Sequence, residues 1–215
     1  MSSENTAFSD PDAEIRDRLA DTVAANATFD GWTEATIAAS AQELGLPEGE
    51  ALRLFPGGPL GILEYVSSRA DARTVADMEA AGTAGMKVRE RIRTGVRIRL
   101  QKHTGTPDSA RRALSLLALP LNAVLGAKLL YRTVDAIWYA AGDASVDFNF
   151  YTKRATLAGV YSATLLYWLN DRSEGGEATW AFLDRRLEDL MQIEKFKSQV
   201  RAWPGARTRA GATRR

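Results

Sequence analysis

The sequence contains no cysteine, which removes disulfides, thiolate metal sites and cysteine nucleophiles together. Its single histidine, His103, has no second imidazole to join at a metal or in a proton relay. No P-loop, GxGxxG, G-x-S-x-G or ExxH pattern occurs, so the commonest phosphoryl-transfer, dinucleotide, serine-hydrolase and zinc chemistries have no signature. Acid–base catalysis would rest on scattered carboxylates. Long apolar runs are missing too. The best, "ALSLLALPLNAVLGA" from Ala113 to Ala127, is interrupted by Pro120 and Asn122 and bounded by Arg112 and Lys128. It falls short of the ~20 residues a spanning helix needs, and its expected home is a soluble core. The opening "MSSENTAFSDPDAEIRDR" has neither the basic leader and apolar centre of a signal peptide nor an Arg-rich transit character. The expectation is a cytoplasmic protein.

What is present is ordinary globular composition, 45% hydrophobic and 26% charged, with a net charge of +1 over 215 residues. That near-neutrality hides an asymmetry. Residues 1–80 hold 5 basic and 15 acidic side chains, residues 81–132 hold 11 and 2. An acidic head beside a basic middle points to internal or dimer complementarity.

Apolar residues recur at three and four, and the punctuation falls between the periodic stretches. Helices are expected over 12–28, 33–45, 48–55, 59–81, 86–103, 108–118, 122–141, 148–170 and 177–203. The fold class is all-α. Three parts are expected: an acidic helix-turn-helix-like unit (1–58), a helical lipid-binding and dimerisation domain (59–203) and a basic disordered tail (204–215). In "WTEATIAASAQELGLPEGEALRLFPGG", Ile37, Ala38, Ala41 and Leu44 should pack inside, with Leu52 and Phe55 closing the unit. This resembles the helix-turn-helix of TetR-type regulators. As a DNA reader it is poor: Glu48 and Glu50 face the phosphates and Arg53 is the sole cation of the second helix. The basic stretch 86–103 buries Val88, Ile92, Val96 and Leu100, and the acidic N-terminal unit is its expected partner.

In "AGDASVDFNFYTKR", Asp143, Ser145, Asp147 and Asn149 alternate as in a calcium loop, but Phe148 stands where the turn glycine belongs. A helix corner explains more, with Gly142 ending one helix and Ser145 or Asp147 capping the next. On the preceding helix Ala127, Leu130, Val134, Ile137 and Ala141 form a core stripe. Tyr131, Asp135, Trp138 and Tyr139 share the adjacent face, as a core edge or an interaction patch. On the following helix Leu157, Tyr161, Leu165 and Trp168 form a stripe, and its small residues Ala155, Ala158, Gly159 and Ala163 permit close packing or a cavity.

The block "AGDASVDFNFYTKRATLAGVYSATLLYWLNDRSEGGEATWAFLDRRLEDLM" resembles a ubiquinone-biosynthesis accessory family, the ninth of the coenzyme Q synthesis proteins. The segment "GWTEATIAASAQELGLP…LFPGGP" fits as well, so the resemblance covers roughly residues 14–195. It implies a TetR-like fold without a DNA role, commonly a homodimer, and no cofactor beyond a bound isoprenoid or quinone. It also implies a surface for the demethoxyubiquinone hydroxylase, mapping onto Tyr131, Asp135, Trp138 and Tyr139 with Asp147 and Tyr151 alongside. The candidate lipid-binding residues are Leu125, Leu157, Ala158, Tyr161, Leu165 and Trp168. In "IEKFKSQVRAW", Ile193, Phe196, Val200 and Trp203 form one stripe with Lys197 and Arg201 beside it, the pattern of a membrane-contact helix or of a dimer interface. The function expected is non-enzymatic lipid presentation, peripheral on the inner face of a bacterial membrane. The alternative is a TetR-type ligand-responsive repressor.

Overall fold

The computed structural model describes residues 12–143 and 148–202, with side chains described over 12–143 and 150–189. Among these residues the regular structure is helical: α1 (Ala13–Asp30), α2 (Glu34–Glu43), α3 (Glu50–Leu54), α4 (Gly58–Ala80), α5 (Val88–His103), α6 (Pro107–Leu117), α7 (Ala123–Ala140), α8 (Phe148–Trp168) and α9 (Glu177–Ala202), with short 3-10 turns before α5, α7 and α9. Local chemistry sets the ends. Thr33 Oγ1 accepts from Thr36 N–H to start α2, and Thr106 does the same for Ser109 at the head of α6, where Pro107 occupies the first turn. α7 stops in a Schellman turn: Gly142 N–H donates to Tyr139 O and Asp143 N–H to Trp138 O, with Gly142 at φ +82°.

Two cores form. The first packs Leu19, Val23, Trp32, Ile37, Leu54, Phe55, Ile62 and Leu63 with Leu129, so it joins α1–α4 to α7 across residue 58. The second packs Ile92, Val96 and Leu100 of α5 with Val134, Ile137, Leu157, Tyr161, Trp180 and Leu183. Between α4, α5 and α7 a buried polar link holds the cores in register. Asp71 Oδ1 accepts from Arg99 Nε at 2.9 Å and from Thr133 Oγ1 at 2.8 Å.

Several sequence expectations need correction. Leu52 is exposed and Leu54 takes its core place, because α3 is a five-residue helix whose register starts at Glu50. Ala38 and Ala127 face solvent, and Val88 lies in the exposed first turn of α5. The basic helix α5 pairs with α4 (Arg99–Asp71, Lys102–Asp77) and α9 (Arg89–Glu188, Arg93–Asp184) instead of the helix-turn-helix unit. The 113–127 run, expected in the core, exposes Leu119, Leu121 and Val124. Pro120 breaks it into two helices meeting at 94°, which turns its centre outward. Among the described residues no single helix is long and apolar enough to cross a membrane.

Candidate functional site

A cavity of about 400 Å³ lies where the two cores meet. Trp32, Leu63 and Val66 wall one side, and Tyr161, Ser162 and Leu165 of α8 the other. Ala113, Leu114, Leu117 of α6 and Ala123, Gly126, Leu129, Leu130 of α7 run along it. Its polarity is uneven. Arg99, His103, Thr104 and Ser109 cluster where α5 passes into α6, and Thr133 joins them from α7. Leu117 and Ala118 lie at the opposite end of α6, and Ala123 opens α7 beside them. Eight residues of helix separate Ser109 from Leu117, roughly 12 Å at 1.5 Å per residue. The cavity therefore has a polar end and an apolar end, a shape suited to a molecule with a small polar head and an apolar tail.

The polar end is held rigidly. Arg99 Nη1 donates to His103 O and Thr104 Oγ1, both at 2.9 Å, and its Nε is fixed by Asp71. Burial pushes the Tyr161 phenol above its ordinary value against the pull of Arg99, which keeps the hydroxyl neutral. Trp32 Nε1 donates to Ser109 O at 3.2 Å and so fastens the α1–α2 turn to the cavity wall.

Of the candidate lipid-binding residues, Tyr161 and Leu165 line the cavity. Leu157 sits in the second core, with Ala158 and Trp168 packed against it, and Leu125 lies against the first core. On α8, Ala155 and Gly159 face outward. Trp32, Arg99 and the α6 residues were not legible as a site, because five helices and a turn must come together to make it. The one signal was the pairing of the apolar 113–127 run with a small-residue α8.

The docking candidates divide similarly. Tyr131, Tyr139 and Tyr151 are exposed, at 44%, 71% and 67%. Trp138 is half-buried: its Nε1 donates to Lys153 O, and the Lys153 ammonium lies 5.5 Å from its ring centroid. Asp135 accepts from Arg154 Nε. Arg154, 4% exposed, also donates to Asp143 Oδ2 at 3.0 Å and covers the Phe150 ring, while Lys153 Nζ reaches Asp143 Oδ1 at 2.7 Å. The sequence "YTKR" thus closes the corner by returning two cations onto the carboxylates of α7 and its cap. Asp147 and Trp203 lie outside the described residues. Ile193, Phe196, Lys197, Val200 and Arg201 fall on the α9 backbone, outside the described side chains.

Residues 123–194, from the start of α7 into α9, match the COQ9 family model. The chain is 38% identical over 178 residues to the ubiquinone biosynthesis protein COQ9, mitochondrial, of Rattus norvegicus, covering 80% of this chain and 57% of that protein. The human protein of the same name is 35% identical, covering 80% and 56%, and that of Drosophila melanogaster 31%, covering 86% and 58%. The chain spans a little over half the length of these relatives. Among solved structures, a TetR transcriptional regulator from Nitrosomonas europaea superposes with a TM-score of 0.66 at 25% identity, covering 81% of this chain and 97% of that one. The chain is similar to the COQ9 proteins along four-fifths of its length, matches their family model over residues 123–194, and has an all-α, TetR-like fold.

Proposed function

We propose that the protein is a non-enzymatic lipid-binding accessory of ubiquinone biosynthesis, presenting an isoprenoid or quinone intermediate to the demethoxyubiquinone hydroxylase. The observation that carries this reading is the cavity, with apolar walls along α6 and α7 and a rigid polar end at Arg99, Thr104 and Tyr161. The polyprenyl tail lies along α6 and the ring faces the polar end. Each ~100 Å² of tail removed from water contributes about 2.5 kcal/mol. The hydroxylase docks on the exposed tyrosines of the α7–α8 corner, whose geometry Arg154 fixes. A second copy packs on the outer face of α8, and the last helix rests on the membrane that supplies the lipid.

Organic-solvent extraction of the purified protein, followed by mass spectrometry, tests the cavity. Near-stoichiometric isoprenoid, quinone or phospholipid is expected. A protein that comes out empty and stays empty when offered isoprenoids removes the reading.

The alternative, a ligand-responsive repressor, draws support from the Nitrosomonas regulator. Against it stands α3, whose one cation, Arg53, is engaged by Asp12 and Glu50. A gel shift with genomic DNA at low salt decides: a salt-dependent shift favours the repressor, and its absence excludes it.

A further inference from the structure

The corner between α6 and α7 has a feature that lipid storage does not require. Leu121 is 97% exposed, Val124 80% and Leu119 52%, at the tip of a 94° bend. Three aliphatic side chains held in water at one convex point lose burial energy and gain nothing inside the chain. The flanks are cationic. From Ser109 to Val134 the sequence has Arg111, Arg112, Lys128 and Arg132 and no carboxylate. Glu64 of α4 pairs with Lys128 and Arg132, and Asp108 with Arg111, so four cations face two carboxylates and the flank stays net positive. Between Arg112 and Lys128 there is no charge at all. The same turn borders the apolar end of the cavity, since Leu117, Ala118, Ala123 and Gly126 line it.

We propose that the α6–α7 corner is a membrane wedge: Leu119, Leu121 and Val124 insert among the acyl chains of an anionic bilayer, and the cavity is loaded through this corner. Apolar tips with cations behind them match the two layers of a lipid surface, acyl chains below and phosphates above. Arg112 and Lys128 lie about one helical turn or more from the tips, at the level of the headgroups. A second copy fits less well, because a two-fold contact through this corner would set cation against cation. The proposal rests on the lipid-binding reading for its cargo, but its test does not need the cargo.

The chain has no cysteine, so Leu121→Cys gives a single attachment point for an environment-sensitive dye on the full chain. With vesicles of phosphatidylcholine and phosphatidylglycerol at 7:3, the dye is expected to shift to the blue, while the same dye at Glu48→Cys stays in water. Leu121→Glu/Val124→Glu is expected to lower vesicle partitioning at least tenfold without moving Tm. Arg112→Gln/Lys128→Gln is expected to weaken binding about fivefold per cation removed, on anionic vesicles only. An unshifted dye overturns the wedge, because vesicles are then held elsewhere on the chain. So does a glutamate variant that partitions like the parent, or one that only changes the oligomeric state, which would assign the corner to a second copy. Calorimetry with farnesol, needing no vesicle, separates the two readings. Parent and glutamate variant are both expected to bind it, and a parent that does not bind sinks the lipid cavity whatever the corner does.

Discussion

Asp71 stands between Arg99 and Thr133 with its carboxylate nearly out of water. Removing it leaves a buried guanidinium without its counter-ion. Asp71→Ala is therefore expected to destabilise the fold by about 3–5 kcal/mol, read by urea unfolding, whereas replacing both partners with apolar residues of similar volume costs far less. Asp171 works at the surface. It accepts from Ser173 N–H and Thr179 N–H, both at 2.8 Å, and from both hydroxyls, tying the turn after α8 to the first turns of α9. The Thr179 and Ser173 hydrogen bonds hold its carboxyl well below the usual carboxylate range. A depressed folded value adds stability above the unfolded pKa of about 3.9 and loses it as pH falls toward the folded value. Asp171→Ala is expected to cost about 1 kcal/mol at pH 7, or ~2–4 °C in Tm, and that gap narrows below pH ~4.

At the scale of elements, α4, α5 and α7 meet over a glycine. A Cβ on Gly95 would lie 2.7 Å from Met78 Sδ and 2.9 Å from Ile137 Cγ2. Gly95→Ala is expected to destabilise by about 1–3 kcal/mol in thermal unfolding, because two helices must move apart. The α7 stop depends on Gly142 at φ +82°, and Gly142→Ala is expected to cost about 1 kcal/mol there. Such ends were legible: Gly142, Pro107 and the Gly57–Pro59 turn are local signals, and the helices begin and end within a few residues of them. The direction a helix faces was less so. The 113–127 run has the composition of a core segment, and only the Pro120 corner decides that its centre points outward. Leu52 and Leu54 differ by two positions in a helix too short to show a period. For Arg154, spacing gave no hint that it would reach back to Asp135 and Asp143, since that contact exists only once α7 and α8 have folded together.

At the scale of the molecule, the exposed tyrosines and the cavity occupy different parts of the α7–α8 pair. Tyr139 is 71% exposed, so a charge there should leave the fold intact. On the proposed function, Tyr139→Glu keeps lipid through extraction and loses the hydroxylase in a pull-down. Trp138→Ala is a weaker probe, since it also removes the hydrogen bond to Lys153 O and the packing beneath it. The exposure of Tyr131 and Tyr139 was legible, because aromatics beside a core stripe on one helix announce themselves. The cavity was not, because its polar end borrows Arg99 from a helix whose other cations look alike in sequence.

The cavity's volume, about 400 Å³, sits near the low end of small-molecule sites, ~300–1,000 Å³. A prenylated ligand seated against the fixed Arg99–Thr104 end fills it with its head and first prenyl units and leaves the remainder outside. On the proposed function, affinity should then climb over the shortest prenyl chains and level off, the site reading one end of a prenylated ligand and staying indifferent to how long the other end is.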